Sequence, residues 1–160
     1  MRFIALVAAV AFGLPAVADD ATPTEGDIDA AFTWSAIDLA TTPAPGDGTT
    51  ILLEAHLVVT SNIGGPFDKL AGTCLLKGLS QGDNWQATGS CALKDADGDF
   101  LFESISEEGD KGNADLSGGT GKFAGMTGTH GYTTTWYSSI REGENQGIGL
   151  KTGHWKRPAM

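Results

Sequence analysis

Along most of the chain apolar and polar residues alternate at a period of two. TTILLEAHLVVT, residues 49 to 60, is the cleanest case: Leu53, Ala55, Leu57 and Val59 share one face, and Leu52, Glu54, His56 and Val58 the other. That is the period of a strand, not of a helix. Phe32, Trp34 and Ala36 alternate with Thr33 and Ser35, which predicts a first strand from Ala31 to about Leu39. Further strands are predicted at residues 70–78 and 84–94, Phe100 to Ile105, Ala114 to Ser117, Tyr132 to Ser138 and Ile148 to Trp155. TTPAPGDG (41–48), SNIGGPFD (61–68), DADGD (95–99), SEEGDKGN (106–113) and REGENQG (141–147) are rich in turn residues and separate them. About eight strands and no substantial helix predict an all-β domain, a sandwich or a barrel.

GGTGKFAGMTG, residues 118–128, breaks the alternation. Five of its eleven residues are glycine, which a helix interior does not tolerate at about 1 kcal/mol each. A glycine corner feeding a strand is how a sheet coils sharply enough to close, so the stretch favours a single antiparallel barrel.

The residues Gly118, Gly119, Thr120, Gly121, Phe123 and Gly128, with Cys91 and the DADGD that follows it, resemble the signature of allene oxide cyclase-like barrels. Plant dirigent proteins and many secreted bacterial proteins share it more loosely. Met126 stands where alanine is usual, and the likeness spans roughly residues 70 to 140. The resemblance implies a calycin-type barrel. It also implies, as one option, an isomerase that works on a lipid-derived or aromatic substrate through a buried carboxylate. No residue of this chain matches that carboxylate by motif, so the catalytic residue stays unassigned.

The first residues change the picture of where the domain begins. Arg2, an apolar run from Phe3 to Leu14 and Ala16-Val17-Ala18 before Asp19 read as a secretory signal peptide over residues 1–18. The run is too short to span a bilayer. An acidic, flexible leader is predicted over residues 19–30, and the barrel domain over 31–160. Export predicts a periplasmic or secreted protein. Ten Lys and Arg against twenty Asp and Glu, a net charge of −10, argue against nucleic acid as a partner, because a phosphate backbone needs clustered cations. Outward faces that carry charge also argue against a membrane-spanning barrel.

Two cysteines, Cys74 and Cys91, are a disulfide pair in an oxidising compartment. Opposed residues of an antiparallel hairpin have a constant sum, so pairing Cys74 with Cys91 centres the turn on Gly82-Asp83. Gly-Asp is itself a two-residue hairpin turn with glycine in the first, positive-φ position. The same register opposes Leu76 to Gly89, Gly78 to Ala87 and Gln81 to Asn84, and makes the cysteines a non-hydrogen-bonded pair with Cα atoms about 4.5 Å apart.

Candidate chemistry is sparse. GGTGK is not a phosphate loop, because Leu116 and Phe123 stand where that motif needs glycine and Ser or Thr. Asp95, Asp97 and Asp99 offer carboxylates for a cation, but an acidic hairpin tip explains them and the EF-hand pattern fails; no metal or cofactor is predicted. His56, His130 and His154 lack zinc spacing, and no G-x-S-x-G elbow exists. The aromatic residues Trp34, Trp85, Tyr132 and Trp136 lie in predicted strands and are the candidates to line a cavity for a small apolar ligand. Three functions stay open. A hollow apolar barrel without a buried acid fits a binding module, an acid inside the cavity fits an isomerase or cyclase, and a filled barrel fits a structural envelope protein.

Overall fold

The computed structural model describes residues 23–159; the predicted signal peptide lies outside them. Eight strands, β1 (Glu25–Ala44), β2 (Gly48–Ser61), β3 (Leu70–Gln81), β4 (Asn84–Lys94), β5 (Phe100–Glu108), β6 (Lys111–Gly119), β7 (Thr127–Tyr137) and β8 (Glu144–Lys156), close into a barrel in sequence order. Every neighbouring pair is antiparallel, and β1 pairs with β8 from Glu25↔Lys156 to Ile37↔Glu144. Among the described residues the only helical element is one 3₁₀ turn, Gly121–Phe123, and no helix is long and apolar enough to cross a membrane.

The cysteine hairpin has the expected register: Cys74↔Cys91, Leu76↔Gly89, Gly78↔Ala87 and Gln81↔Asn84. The disulfide joins Cα atoms 4.0 Å apart, and Gly82 takes φ +60°. A disulfide of this kind fits an extracellular or periplasmic compartment.

Several strand ends differ from the sequence reading: β7 starts at Thr127 and β8 at Glu144, ahead of the expected Tyr132 and Ile148, and three further differences have a physical reason. The strand expected from Ala31 begins at Glu25, so residues 25–30 of the predicted leader belong to the barrel. Ile28 and Ala30 face the core while Asp27 and Asp29 face water; the outward acids mask a buried period of two. The predicted loop 106–113 is almost all strand, reduced to a turn at Gly109-Asp110. Glu108 and Lys111 face outward, whereas Glu107 faces in, as does Gly112 beneath the Tyr132 ring. Finally β1 continues to Ala44 through Pro43. There β1 has run past its last pair with β8, and a strand with one free edge accepts proline.

The two ends of the barrel are built differently. At one end the β2–β3 loop, the β4–β5 turn and the glycine corner converge, and Phe67, Phe123 and Met126 are fully enclosed as a plug over Leu70, Leu93 and Leu101. The corner works by close approach. Gly121 has φ +48° and a Cβ there would run into the Asp99 carboxylate; a Cβ on Gly119 would strike the Phe100 carbonyl. Thr120 fastens the corner to β5: its Oγ1 accepts from Phe100 N–H at 2.8 Å, and its own N–H donates to the Phe100 carbonyl. The DADGD turn meets the same corner. Asp95 accepts the N–H groups of Asp97 and Asp99, each at 2.9 Å, and the Lys122 ammonium lies 2.7 Å from Asp95 and 3.3 Å from Asp97. Asp99 accepts the Lys122 N–H. The cation beside Asp95 and Asp97 is therefore this chain's own lysine, and Asp99 binds the backbone of the same residue. The Lys122 hydrogen bond, ahead of the opposing effect of burial, holds the Asp95 carboxyl below its ordinary value.

Candidate functional site

The other end is open. Beneath it lies a cavity of about 520 Å³, large enough for one small molecule. The solid-barrel alternative is overturned by this space. It exists because the inward positions of several strands are glycine. Trp34 lies over Gly147, Phe32 over Gly149, Trp85 over Gly78 and Tyr132 over Gly112, so each ring lies flat along a neighbouring strand instead of filling the centre. Trp34↔Gly147, Phe32↔Gly149 and Gly112↔Tyr132 are direct cross-strand partners, the arrangement in which an aromatic side chain covers a bare glycine.

All four aromatic residues singled out from the sequence line this cavity. Trp34, Trp85 and Trp136 gather near its mouth. Trp136 sits edge-on to Trp34 with centroids 4.7 Å apart and to Trp85 at 6.2 Å. Tyr132 lies deeper, at 6.1 Å from Phe32. The glycine corner and the aspartate triplet belong instead to the closed end. Cys74 and Cys91 form part of the cavity wall.

The floor holds what the sequence reading did not identify. Glu103, His130 and Lys151 are each at most 3 % exposed. Glu103 Oε1 lies 3.1 Å from His130 Nε2 and 3.6 Å from Lys151 Nζ. Lys151 also lies over the Phe32 ring at 5.6 Å, and His130 packs edge-on against Phe67 of the plug. Burial pushes the Glu103 carboxyl up, but Lys151 and then His130 outweigh it and hold the group at about 2. The acid is thus an ionised carboxylate with a cation beside it, and among the described residues His130 Nδ1 has no partner.

A second acid stands above the first. Glu107 accepts from Tyr132 Oη and Trp85 Nε1, both at 3.0 Å. Burial, and then the Glu107 charge, raise the Tyr132 phenol far above its ordinary value, so it stays a donor. Nearer the mouth Asp38 lines the cavity, its Oδ1 buried without a partner, as is Trp34 Nε1. Burial raises the Asp38 carboxyl above its usual range.

The signal for the floor was present as parity. Glu103 and Glu107 fall on the same face as Leu101 and Ile105, and Lys151 on the same face as Gly147, Gly149 and Trp155. In β8 the usual pattern is reversed: Ile148 and Leu150 face outward, 42 % and 58 % exposed, while the lysine and glycines face in.

No family model and no curated protein sequence matches the chain. Among solved structures it is similar to the pterocarpan synthase dirigent protein GePTS1, with TM-score 0.52 and 13 % identity over 86 % of this chain and 90 % of that one. It is also similar to the pterocarpan synthase dirigent protein PsPTS1, with TM-score 0.45 and 14 % identity over 83 % and 95 %. At 13 % identity the likeness to GePTS1 is one of fold, and the fold of this chain is a dirigent-like eight-stranded barrel.

Proposed function

We propose that this is an exported barrel of the allene oxide cyclase-like group that binds one small, largely apolar molecule inside the barrel. The observation that carries the reading is the aromatic-walled cavity, open at one end and plugged at the other. Rings that lie flat over glycines offer wide apolar faces at little conformational cost, and recurrent small-molecule sites in β-barrels have this character. The fold neighbour GePTS1 is a pterocarpan synthase, which is compatible with a barrel that holds or guides a small substrate.

One observation favours a second reading, in which the bound molecule is also isomerised or cyclised. Glu103 and His130 form a buried, hydrogen-bonded pair on the cavity floor, and an ionised carboxylate there can stabilise positive charge that develops on a ligand.

Mass spectrometry of the natively exported protein under non-denaturing conditions tests the binding reading. A retained small molecule at stoichiometric amount, lost in Trp34→Ala and Trp136→Ala, is the expected result. No retained molecule, and no change in tryptophan fluorescence with a panel of small aromatic compounds, would overturn it. Recovery of a released molecule different from the one supplied, in wild type and not in Glu103→Gln, would select the second reading.

A further inference from the structure

We propose that the molecule taken by the cavity is an organic cation, an amine on an aromatic or apolar body, with its ammonium near Asp38 and the indole faces of Trp34 and Trp136. This rests on the binding reading above and adds the charge of the ligand.

The first observation is the balance of charge around the space. Five carboxylates line it, those of Asp38, Asp83, Glu103, Glu107 and Asp110, against a single lysine, Lys151. That lysine is already beside Glu103, which also faces His130. Glu107 is occupied by two neutral donors, which leave its charge uncancelled. Asp83 and Asp110 stand exposed at the rim, and neither is in an ion pair. The field in the mouth is therefore negative, and low-dielectric walls focus it. A fatty acid or any other anion enters against that field; an ammonium enters with it.

The second observation is independent of the acids. Trp136 stands near-perpendicular to both Trp34 and Trp85, at 77° and 79°, and the three indoles form a corner at the mouth. A cation in such a corner meets more than one negative ring face, which is how aromatic cages hold ammonium groups. Asp38 falls on the same face of β1 as Trp34, four residues further toward the mouth, and brings a buried, unpartnered Oδ1 to the same region. His130, 3 % exposed and with Nδ1 unpartnered, lines the deeper part. The unpartnered His130 Nδ1 and Trp34 Nε1 suit polar atoms elsewhere on the ligand.

Three probes sharing one ring system test the charge: 2-naphthylmethylamine, an ammonium at neutral pH, 2-naphthylmethanol and naphthalene-2-carboxylate, titrated calorimetrically into the full-length oxidised protein at low salt. The amine is expected to bind at least about tenfold more tightly than the alcohol, and the carboxylate most weakly. In Asp38→Asn, with folding checked by circular dichroism, the advantage of the amine over the alcohol should fall by at least about threefold. Equal affinity of alcohol and amine, or a preference for the carboxylate, overturns the cationic ligand and leaves the binding reading standing. An amine advantage that is unchanged in Asp38→Asn overturns the placement at Asp38. Failure of all three probes to bind overturns both readings.

Discussion

The barrel holds two lysine–carboxylate clusters of nearly the same composition and opposite circumstance. At the closed end Lys122, 38 % exposed, bridges Asp95 and Asp97 on the outside of the plug. Inside the barrel Lys151, 3 % exposed, faces Glu103 and His130 on the floor of the cavity. The outer cluster ties one turn to another: Asp95 and Asp99 also accept backbone N–H groups, and Asp97 and the lysine reach water. The inner cluster ties no turns together. It places three ionisable groups where an apolar barrel would place leucines, and removing such charges from water is unfavourable unless they neutralise one another. A charge group that stabilises a corner is ordinary; one built into the wall of a hollow space points to what the space is for.

The largest effect expected from breaking this comparison is at Lys151. Lys151→Met leaves Glu103 buried with only His130 beside it, and loss of one partner of a buried pair is destabilising by about 3–5 kcal/mol. The pH dependence identifies the cause. Glu103 is held at about 2, below its ordinary value of 4.5, so the stability it contributes is complete above about pH 4.5 and is lost as pH falls toward 2. In the variant that contribution is already gone. Urea midpoints measured from pH 7 downward should show the gap between wild type and Lys151→Met narrowing below pH 4.5. A gap that stays constant with pH would mean that the lysine acts through packing on Phe32 and not through charge.

Next in size is the disulfide, which belongs to the wall shared by both regions. Replacing Cys74 and Cys91 by alanine reopens a loop of 17 residues' separation, with an expected loss of about 3 kcal/mol on the chain-entropy view. The double variant should retain its far-ultraviolet spectrum, because the Gly82-Asp83 turn sets the register independently. A loss below about 1 kcal/mol would show that the hairpin is equally well ordered in the unfolded chain.

These two elements also separate what could be read in the sequence from what could not. The cysteine hairpin was legible because two independent local signals, the cysteine spacing and the Gly-Asp turn, select one register. The strands were legible from the period of two, their closure into a barrel from the glycine corner, and the aromatic candidates from the positions of Trp34, Trp85, Tyr132 and Trp136 in strands. The floor was not, because a period of two reports that two faces differ and not which of them is inside. In β8 the apolar residues Ile148 and Leu150 face out, and Gly147 and Gly149 face in to make room for Trp34 and Phe32. Parity alone therefore does not say that Lys151 faces in. The same ambiguity hid Ile28 and Ala30 between Asp27 and Asp29. Only the closure of β1 against β8, a contact between the two ends of the chain, decides which side is the interior.

A smaller effect is expected at the outer cluster. Lys122→Met removes the cation from Asp95 and Asp97, but Asp95 keeps its two backbone donors and Asp97 is exposed. The loss should be about 1 kcal/mol, roughly a third or less of that at Lys151, and it should shrink in high salt, whereas the Lys151 effect should not. With Lys122 in place, millimolar calcium should leave the melting temperature unchanged. A rise of several degrees, abolished in Asp97→Asn, would show that the aspartates prefer a metal to the lysine.

The smallest effect, and the only one expected with the opposite sign, is at the mouth. Asp38 has burial acting on it and no cation to offset it, so its carboxyl is raised above the ordinary value. For an acid raised on folding, the native state binds the proton more tightly than the unfolded chain. Ionised Asp38 therefore opposes folding at neutral pH, and that opposition is relieved as pH falls through its folded value toward its unfolded one. Asp38→Asn removes the charge and keeps the shape, so the variant should be slightly more stable than wild type at pH 7 and equal to it near pH 3. Urea midpoints at the two pH values decide the matter. Destabilisation at pH 7 would mean that Asp38 has a structural partner in solution. A gain in stability together with a weaker preference for 2-naphthylmethylamine would mark Asp38 as a residue kept for binding at the expense of folding, the reverse of Lys122.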